Sequence, residues 1–231
     1  MLHPSVLVQP GPAGSAPPGF LSVRLDRPER RNALDVGMTR ALLDIFRADP
    51  AVPVLIESAG PGAFCAGADL SLPDRERAVV SDLLYETYEA MVTRAGPVIA
   101  VVEGPAVGGG AQLAGAADLR VAGPRARFRW TGPPGRDLAV GAWLLPGLIG
   151  RGAALELTLT GRWVEAGEAL RLGLVNRVED EPGKVAAELA GDLLARGPGG
   201  AGPVKLIASA GGLLERLRAE RDASRAAWSG A

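Results

Sequence analysis

Two glycine-rich turns hold the residues of this chain best suited to chemistry. In the second along the chain, an apolar run Val98-Ile-Ala-Val-Val102 continues through Glu103-Gly-Pro-Ala-Val107 into Gly108-Gly109-Gly110, and Ala111 onward reads as a helix. A strand that empties into glycines and then a helix leaves unobstructed backbone N–H groups at a helix N-terminus, where the dipole favours negative charge. In the first along the chain, Ala63-Phe-Cys-Ala-Gly-Ala-Asp69-Leu70 follows another apolar strand, and its small residues leave the N–H of Ala66 open to a ligand. Two such turns can converge on one carbonyl oxygen and form a two-donor oxyanion hole. Tight helix–strand packing with no ligand would call for the same glycines. A dinucleotide fingerprint does not fit, because the sixth position counted from Gly108 is Leu113, and no P-loop lysine follows.

The chemistry the chain lacks is equally informative. One histidine (His3) and one cysteine (Cys65) among 231 residues allow no internal disulfide and no zinc site of the usual ligand set. They also leave no histidine-based triad, unless the N-terminal segment folds back over a site. With 25 basic and 26 acidic residues the net charge is -1, so no electrostatic footprint for nucleic acid exists. No apolar stretch is long enough to cross a membrane, and residues 1–19 do not follow a secretory-signal pattern, so a soluble, cytoplasmic protein is expected. Gly 32 and Pro 19 make the chain loop-rich, while hydrophobic residues at 47% supply a sizeable core.

The elements that must position these turns follow from hydrophobic period. Strands are expected at Ser5–Gln9, Phe20–Asp26, Val52–Ser58, Val98–Val102, Leu119–Ala122 and Leu174–Val178. Helices are expected at Asp35 to Phe46, with Asp35 as N-cap and Met38, Leu42, Ile45 and Phe46 on one stripe, and at Arg75–Thr93 and Ala111–Ala117. Further helices fall at Arg151–Thr160, Glu165–Leu172, Lys184–Ala195 and Pro203–Ala227. Strands alternating with helices predict an α/β fold with mainly parallel strands, and the last third reads as helical.

At these residues the chain resembles the enoyl-CoA hydratase/isomerase (crotonase) superfamily. The matching pieces run in family order: Arg31-Asn-Ala-Leu34, Ala63 to Leu70, Ala100 to Gly110, Ala117 to Gly123 with Ala126-Arg-Phe128, Leu157 to Gly161, and Ala169 to Val178. The resemblance implies a crotonase-like spiral of ββα units over residues 1–195, and a helical C-terminal trimerisation region over 196–231 that is short relative to the family. It implies a homotrimer or homohexamer. The ligand would be an acyl-CoA thioester with its carbonyl oxygen held between the Ala66 and Gly109 amides as an oxyanion hole, coenzyme A being part of the substrate, with no tightly bound cofactor and no metal. Arg31, Ala33, Ala68 and Leu70 would line the coenzyme path; a solvated turn is the alternative for Arg31. Asp69 and Asp118 match family positions and are expected to serve as caps or turn bonds.

Departures from the family pattern bear on the reaction. Hydration needs a general base for water and a general acid for the α-carbon. The resemblance places hydratase glutamates at Gln112 and Gly132, so both carboxylates are missing. An amide exchanges no proton at neutral pH and can only orient a water or a substrate group. Asp137, further along a loop stiffened by Pro133-Pro134, is the remaining carboxylate nearby; it could act as base or nucleophile, or cap the following helix. Trp130 and Trp143 could wall an acyl pocket or belong to the core, and Cys65 reads as a small buried hydrophobe. The chain stops at Trp228-Ser-Gly-Ala231, short of a further family segment, so altered coenzyme or subunit contacts are expected. Two functions compete: an acyl-CoA lyase or isomerase-type enzyme of fatty-acid or secondary metabolism with atypical acid/base groups, and a non-catalytic acyl-CoA-binding member of a biosynthetic pathway.

Overall fold

Apolar runs with no alternation need cover on both faces of a sheet, and the central strands have it. A computed structural model describes residues 3–10, 18–133, 140–197 and 201–229. Strands β1 (Val6–Pro10), β2 (Leu21–Leu25), β3 (Val54–Ser58), β4 (Val98–Val102), β6 (Leu119–Ala122) and β9 (Arg177–Val178) form a six-stranded sheet in the order β1-β2-β3-β4-β6-β9. Only β1 runs antiparallel to its neighbour; every later pair is parallel. Side chains alternate across this sheet. Val54, Ile56, Val98, Ala100 and Val102 join the main core with helices α1 (Val36–Ala48) and α2 (Asp74–Thr93). Leu55, Ile99, Val101 and Val121 face the other way, onto Ala186 and Ala190 of α7 (Pro182–Ala195).

A second sheet of three short strands, β5 (Pro105–Val107), β7 (Arg127–Arg129) and β8 (Trp163–Glu165), has the order β5-β7-β8. Hydrophobic period did not predict these strands. Each is three residues long, too short to display a period of two. Helix α3 (Gly109–Ala116) starts directly after β5. Helices α4 (Leu145–Ile149) and α5 (Arg151–Thr160) lie between β7 and β8, and α6 (Ala166–Leu172) follows β8.

The expected single helix Pro203–Ala227 is two helices, α8 (Ala201–Ala208) and α9 (Leu213–Ser229), broken where Gly211 and Gly212 adopt φ of 84° and 89°. That left-handed backbone cannot continue a right-handed helix and suits glycine alone. The break lets α9 turn back along α2, where Arg221 and Arg225 both reach Asp82 at 2.7 Å. These two guanidiniums, with Arg221 the larger influence, hold the Asp82 carboxyl down to about 2. Helix α8 is tied to the core by Lys205, whose buried ammonium meets the Asp118 carboxylate and the Met91 carbonyl, each at 2.8 Å. Asp118 also accepts from the Val98 amide at 2.7 Å, so it is a structural bracket, as its position in the sequence suggested.

Helix α1 begins as its sequence requires. The Asp35 side chain accepts from the Met38 amide at 2.8 Å, and Met38, Leu42, Ile45 and Phe46 are buried. Asp35→Ala is expected to cost about 1 kcal/mol, the usual worth of an N-cap. Urea unfolding at pH 7 measures it, and an unchanged midpoint would show that the cap contributes nothing.

Candidate active site

The two glycine-rich turns are stitched to each other by backbone hydrogen bonds. The Cys65 amide donates to the Pro105 carbonyl at 3.2 Å, and the Val107 amide donates to the Cys65 carbonyl at 2.9 Å. A Cβ on Gly67 would lie 2.7 Å from the Val107 carbonyl oxygen and 3.4 Å from the Gly109 nitrogen, and Gly67 itself has φ of 84°. Glycine is therefore needed there twice over, for the left-handed backbone and for the close approach.

Ahead of the first turn, Arg31 and Asn32 both adopt φ of 54°, a costly conformation for residues with a side chain. Asn32 is held by its own hydrogen bonds. Its side chain accepts from the Arg27 amide at 2.8 Å and donates to the Ala63 and Phe64 carbonyls at 3.0 and 3.2 Å. This is the device that pins the start of the turn.

Hydrogen bonding revises which amide is available. The Ala66 N–H, expected as an oxyanion donor, is spent on the Arg31 carbonyl at 3.0 Å. Around the next residues the Leu34 amide donates to Gly67 and the Asp69 amide donates to Leu34, at 2.8 and 2.9 Å. The Ala68 N–H between them has no acceptor among the described residues. Gly109 is the first residue of α3, so its N–H has no partner within the helix. The open pair is thus Ala68 and Gly109. The correction arises because the left-handed backbone at Gly67 interrupts the extended alternation, so Ala66 donates to Arg31 while Ala68, two residues on, does not pair in the same way.

Ala68 and Gly109 both line a cavity of about 310 Å³. It is lined by Ala66, Gly67, Ala68 and Leu70 from the first turn, Gly108, Gly109 and Gln112 from the second, Leu84, Tyr85 and Tyr88 from α2, and Ser224 and Trp228 from α9. Gly132 lines it as well, so both positions expected to lack a carboxylate do face the cavity. Arg31 and Ala33 do not line it: Arg31 is exposed on its turn and Ala33 is buried beneath, its carbonyl accepting from Arg27 at 3.0 Å. Asp137 lies outside the described residues; Pro133 and Val140, which flank that segment, both line the cavity.

Gln112 is buried, and its Oε1 accepts from Trp143 Nε1 at 2.7 Å. Trp143 stacks on Tyr88 with ring centroids 5.8 Å apart, and Tyr88 donates to the Gly109 carbonyl at 2.8 Å, anchoring the start of α3. Trp130 is buried too, and neither tryptophan lines the cavity. Cys65 is a buried hydrophobe whose Sγ lies 3.1 Å from the Asn32 carbonyl; burial pushes its thiol up to about 12. Asp69 is structural. Burial would raise its pKa, but hydrogen bonds from Ser71 and the Arg27 guanidinium at 2.8 Å outweigh that and hold it below the ordinary value.

Sequence reasoning missed Tyr85 and Glu220. Tyr85 donates to Glu220 Oε1 at 3.1 Å, and the Gly141 and Trp143 amides donate to the same carboxylate at 2.9 and 2.8 Å. The chain has only two tyrosines, spaced i, i+3 on α2, which was a usable signal for a shared face. Glu220 sits among charged neighbours on α9 and carries no such signal.

With this fold and paired-turn site in view, comparison with known proteins identifies the class. Residues 16–196 match the family described as enoyl-CoA hydratase/isomerase. The chain belongs to that family. It is 37% identical over 196 residues to "Probable enoyl-CoA hydratase 2, mitochondrial" of Arabidopsis thaliana, a match covering 78% of this chain and 64% of that protein. It thus spans less than two thirds of that relative's length. A "Crotonyl-CoA hydratase" of Syntrophomonas wolfei subsp. wolfei is 35% identical over 192 residues, covering 75% of this chain and 71% of the relative. Among solved structures, an enoyl-CoA hydratase from Mycobacterium avium subsp. paratuberculosis K-10 superposes with a TM-score of 0.82 at 27% identity, covering 98% of this chain and 89% of that one. An enoyl-CoA hydratase from Bacillus anthracis gives 0.80 at 28% identity, covering 98% and 92%. The crotonase fold with its helical C-terminal region is therefore present. Among the described residues, no helix is long and apolar enough to cross a membrane.

Proposed function

We propose that this protein binds an acyl-CoA thioester with its carbonyl oxygen between the Ala68 and Gly109 amides, and stabilises an enolate or tetrahedral oxyanion there. The observation that carries this reading is the pair of amides on adjoining turns, both at one cavity and neither with an acceptor among the described residues. Such donors act in a largely desolvated site, and loss of one typically costs ~3 kcal/mol of transition-state stabilisation. Coenzyme A enters as part of the substrate, past Ala68 and Leu70. Arg31 and Ala33 sit on the preceding turn, outside the cavity lining. Assembly as a trimer or a pair of trimers belongs to the same reading, with Leu159, Val204 and Ile207 as exposed apolar side chains available to it.

Ordinary hydration is not the reaction under this proposal. Gln112 and Gly132 face the cavity and neither can transfer a proton. Asp137 is proposed as an auxiliary base in the segment between Pro133 and Val140. A second reading, a binder without turnover, is favoured by the fixed hydrogen bond from Trp143 to Gln112, which gives that amide a structural task.

Calorimetry with butyryl-CoA and with its S-butyl thioether, which lacks the carbonyl oxygen, tests the hole directly. The thioester is expected to bind at least about tenfold tighter, since a hydrogen bond to a polarised oxygen is worth about 1.5 kcal/mol or more. Equal affinities would remove the oxyanion-hole reading. Hydration of crotonyl-CoA at an ordinary enzymatic rate would show that the missing carboxylates have been replaced.

A further inference from the structure

We propose that Tyr85 is the proton carrier of this cavity and that Glu220 positions and recharges it from behind. The inference rests on the thioester reading above. Four observations place the pair. Tyr85 and Gln112 both line the cavity, and Gln112 lies one helical turn beyond Gly109 on α3, a rise of about 5 Å. Ser81 and Ser224, whose hydroxyls lie 2.9 Å apart, line the same cavity. Tyr85 in turn donates to Glu220 Oε1 at 3.1 Å. Finally, Glu220 is only 5% exposed and pairs with no cation among the described residues, unlike buried Asp69 with Arg27 and buried Glu57 with Arg24.

A buried carboxylate held by neutral donors alone is costly, so its placement beside a hydroxyl at the cavity wall calls for a use. From α2 it is faced by Tyr85, whose ring packs edge-on against Tyr88, and from the 141–143 segment by the Gly141 and Trp143 amides. On its own helix Arg221 and Arg225 turn away to Asp82, and Arg216 turns to the Trp143 carbonyl. Burial raises the Glu220 carboxyl to about 7, against the pull of the Gly141, Trp143 and Tyr85 donors, so both protonation states are populated near neutrality.

The step balances without a co-reactant. In enolisation the α-carbon C–H bond breaks, its electron pair moves to the thioester oxygen between Ala68 and Gly109, and the proton passes to the Tyr85 oxygen. The Tyr85 O–H proton moves at the same time to the Glu220 carboxylate. Delivery to carbon is the reverse, with the Glu220 proton replacing the one that Tyr85 gives up. Removal at one carbon and return at another leaves Glu220 as it began, which suits a shift of a double bond along the acyl chain.

The test follows exchange of the α-protons of butyryl-CoA for deuterium by NMR in D2O, with calorimetric binding in parallel, for the wild type, Tyr85→Phe and Glu220→Gln. The wild type is expected to exchange, with a rate that rises through an inflection near pH 7. Tyr85→Phe is expected to lower the rate at least 100-fold while binding butyryl-CoA within about threefold of wild type. Glu220→Gln is expected to lose the inflection as well as rate, a signature that a packing defect alone would not produce. Exchange by Tyr85→Phe within threefold of the wild type overturns the inference, as does wild-type binding without exchange. Failure of the wild type to bind butyryl-CoA at all overturns the thioester reading and this inference with it. Unfolding midpoints of the two variants identify a folding defect, and Tyr85→Phe, which keeps the ring, decides the matter if Glu220→Gln does not fold.

Discussion

Gly110→Ala and Gly191→Ala are expected to shift stability in opposite directions although both add one methyl to a helix. A Cβ at Gly110 would lie 2.4 Å from the Cys65 carbonyl oxygen, 2.6 Å from its Cβ and 2.7 Å from its Sγ. One of those contacts is backbone, and it belongs to the segment whose amide and carbonyl bond Pro105 and Val107. The methyl can be accommodated only by moving α3 away from the first turn. Overpacking of this kind costs about 1–3 kcal/mol, and here it also separates the Ala68 and Gly109 amides. Gly191, in α7, meets nothing within 4 Å, so alanine there gains the ordinary helix advantage of about 0.5–1 kcal/mol. Urea unfolding of both variants measures the signs, and butyryl-CoA binding measures the hole. A Gly110→Ala protein as stable as wild type with undiminished binding would show that the two turns are not rigidly coupled.

The same contrast, between what a residue's type dictates and what its distant neighbours dictate, governs how much of the molecule is legible in the sequence. The parallel sheet, the α1 cap at Asp35 and the core stripe through Met38, Leu42, Ile45 and Phe46 are all local or periodic, and each is legible. So is the convergence of two glycine-rich turns, because glycine before a helix and small residues after a strand have few physical uses. The choice of donor is not: whether Ala66 or Ala68 keeps a free N–H depends on which residue Arg31 and Leu34 pair with, a fact of register rather than of type. The turn of the chain at Gly211-Gly212 is visible as two glycines but not as a reversal. Without that reversal, Glu220 reads as one more charge on a solvated helix. It enters the site only because α9 lies back along α2, bringing residues more than a hundred positions apart to 3.1 Å.

That burial gives the protein a pH dependence that one substitution should remove. Glu220 has a folded-state pKa raised to about 7, above the ordinary glutamate value of 4.5. Between those values the unfolded chain has released the proton and the folded protein keeps it, so stability falls as pH rises through this window. The difference of the two values sets the loss at about 3 kcal/mol, complete only above pH 7. Asp82 acts in the opposite sense in a separate window. Its lowered pKa, about 2 against 3.8, adds stability that disappears only as pH falls below 4. Between pH 5 and 8 the Glu220 contribution therefore stands apart from that of Asp82. Unfolding free energies of the wild type should decline across that range, and Glu220→Gln should flatten the decline by about 2–3 kcal/mol whatever its absolute stability. A slope unchanged in the variant would mean that Glu220 keeps its charge throughout, held by the Gly141, Trp143 and Tyr85 donors, and is then a fixed anion behind the cavity wall rather than a proton reservoir.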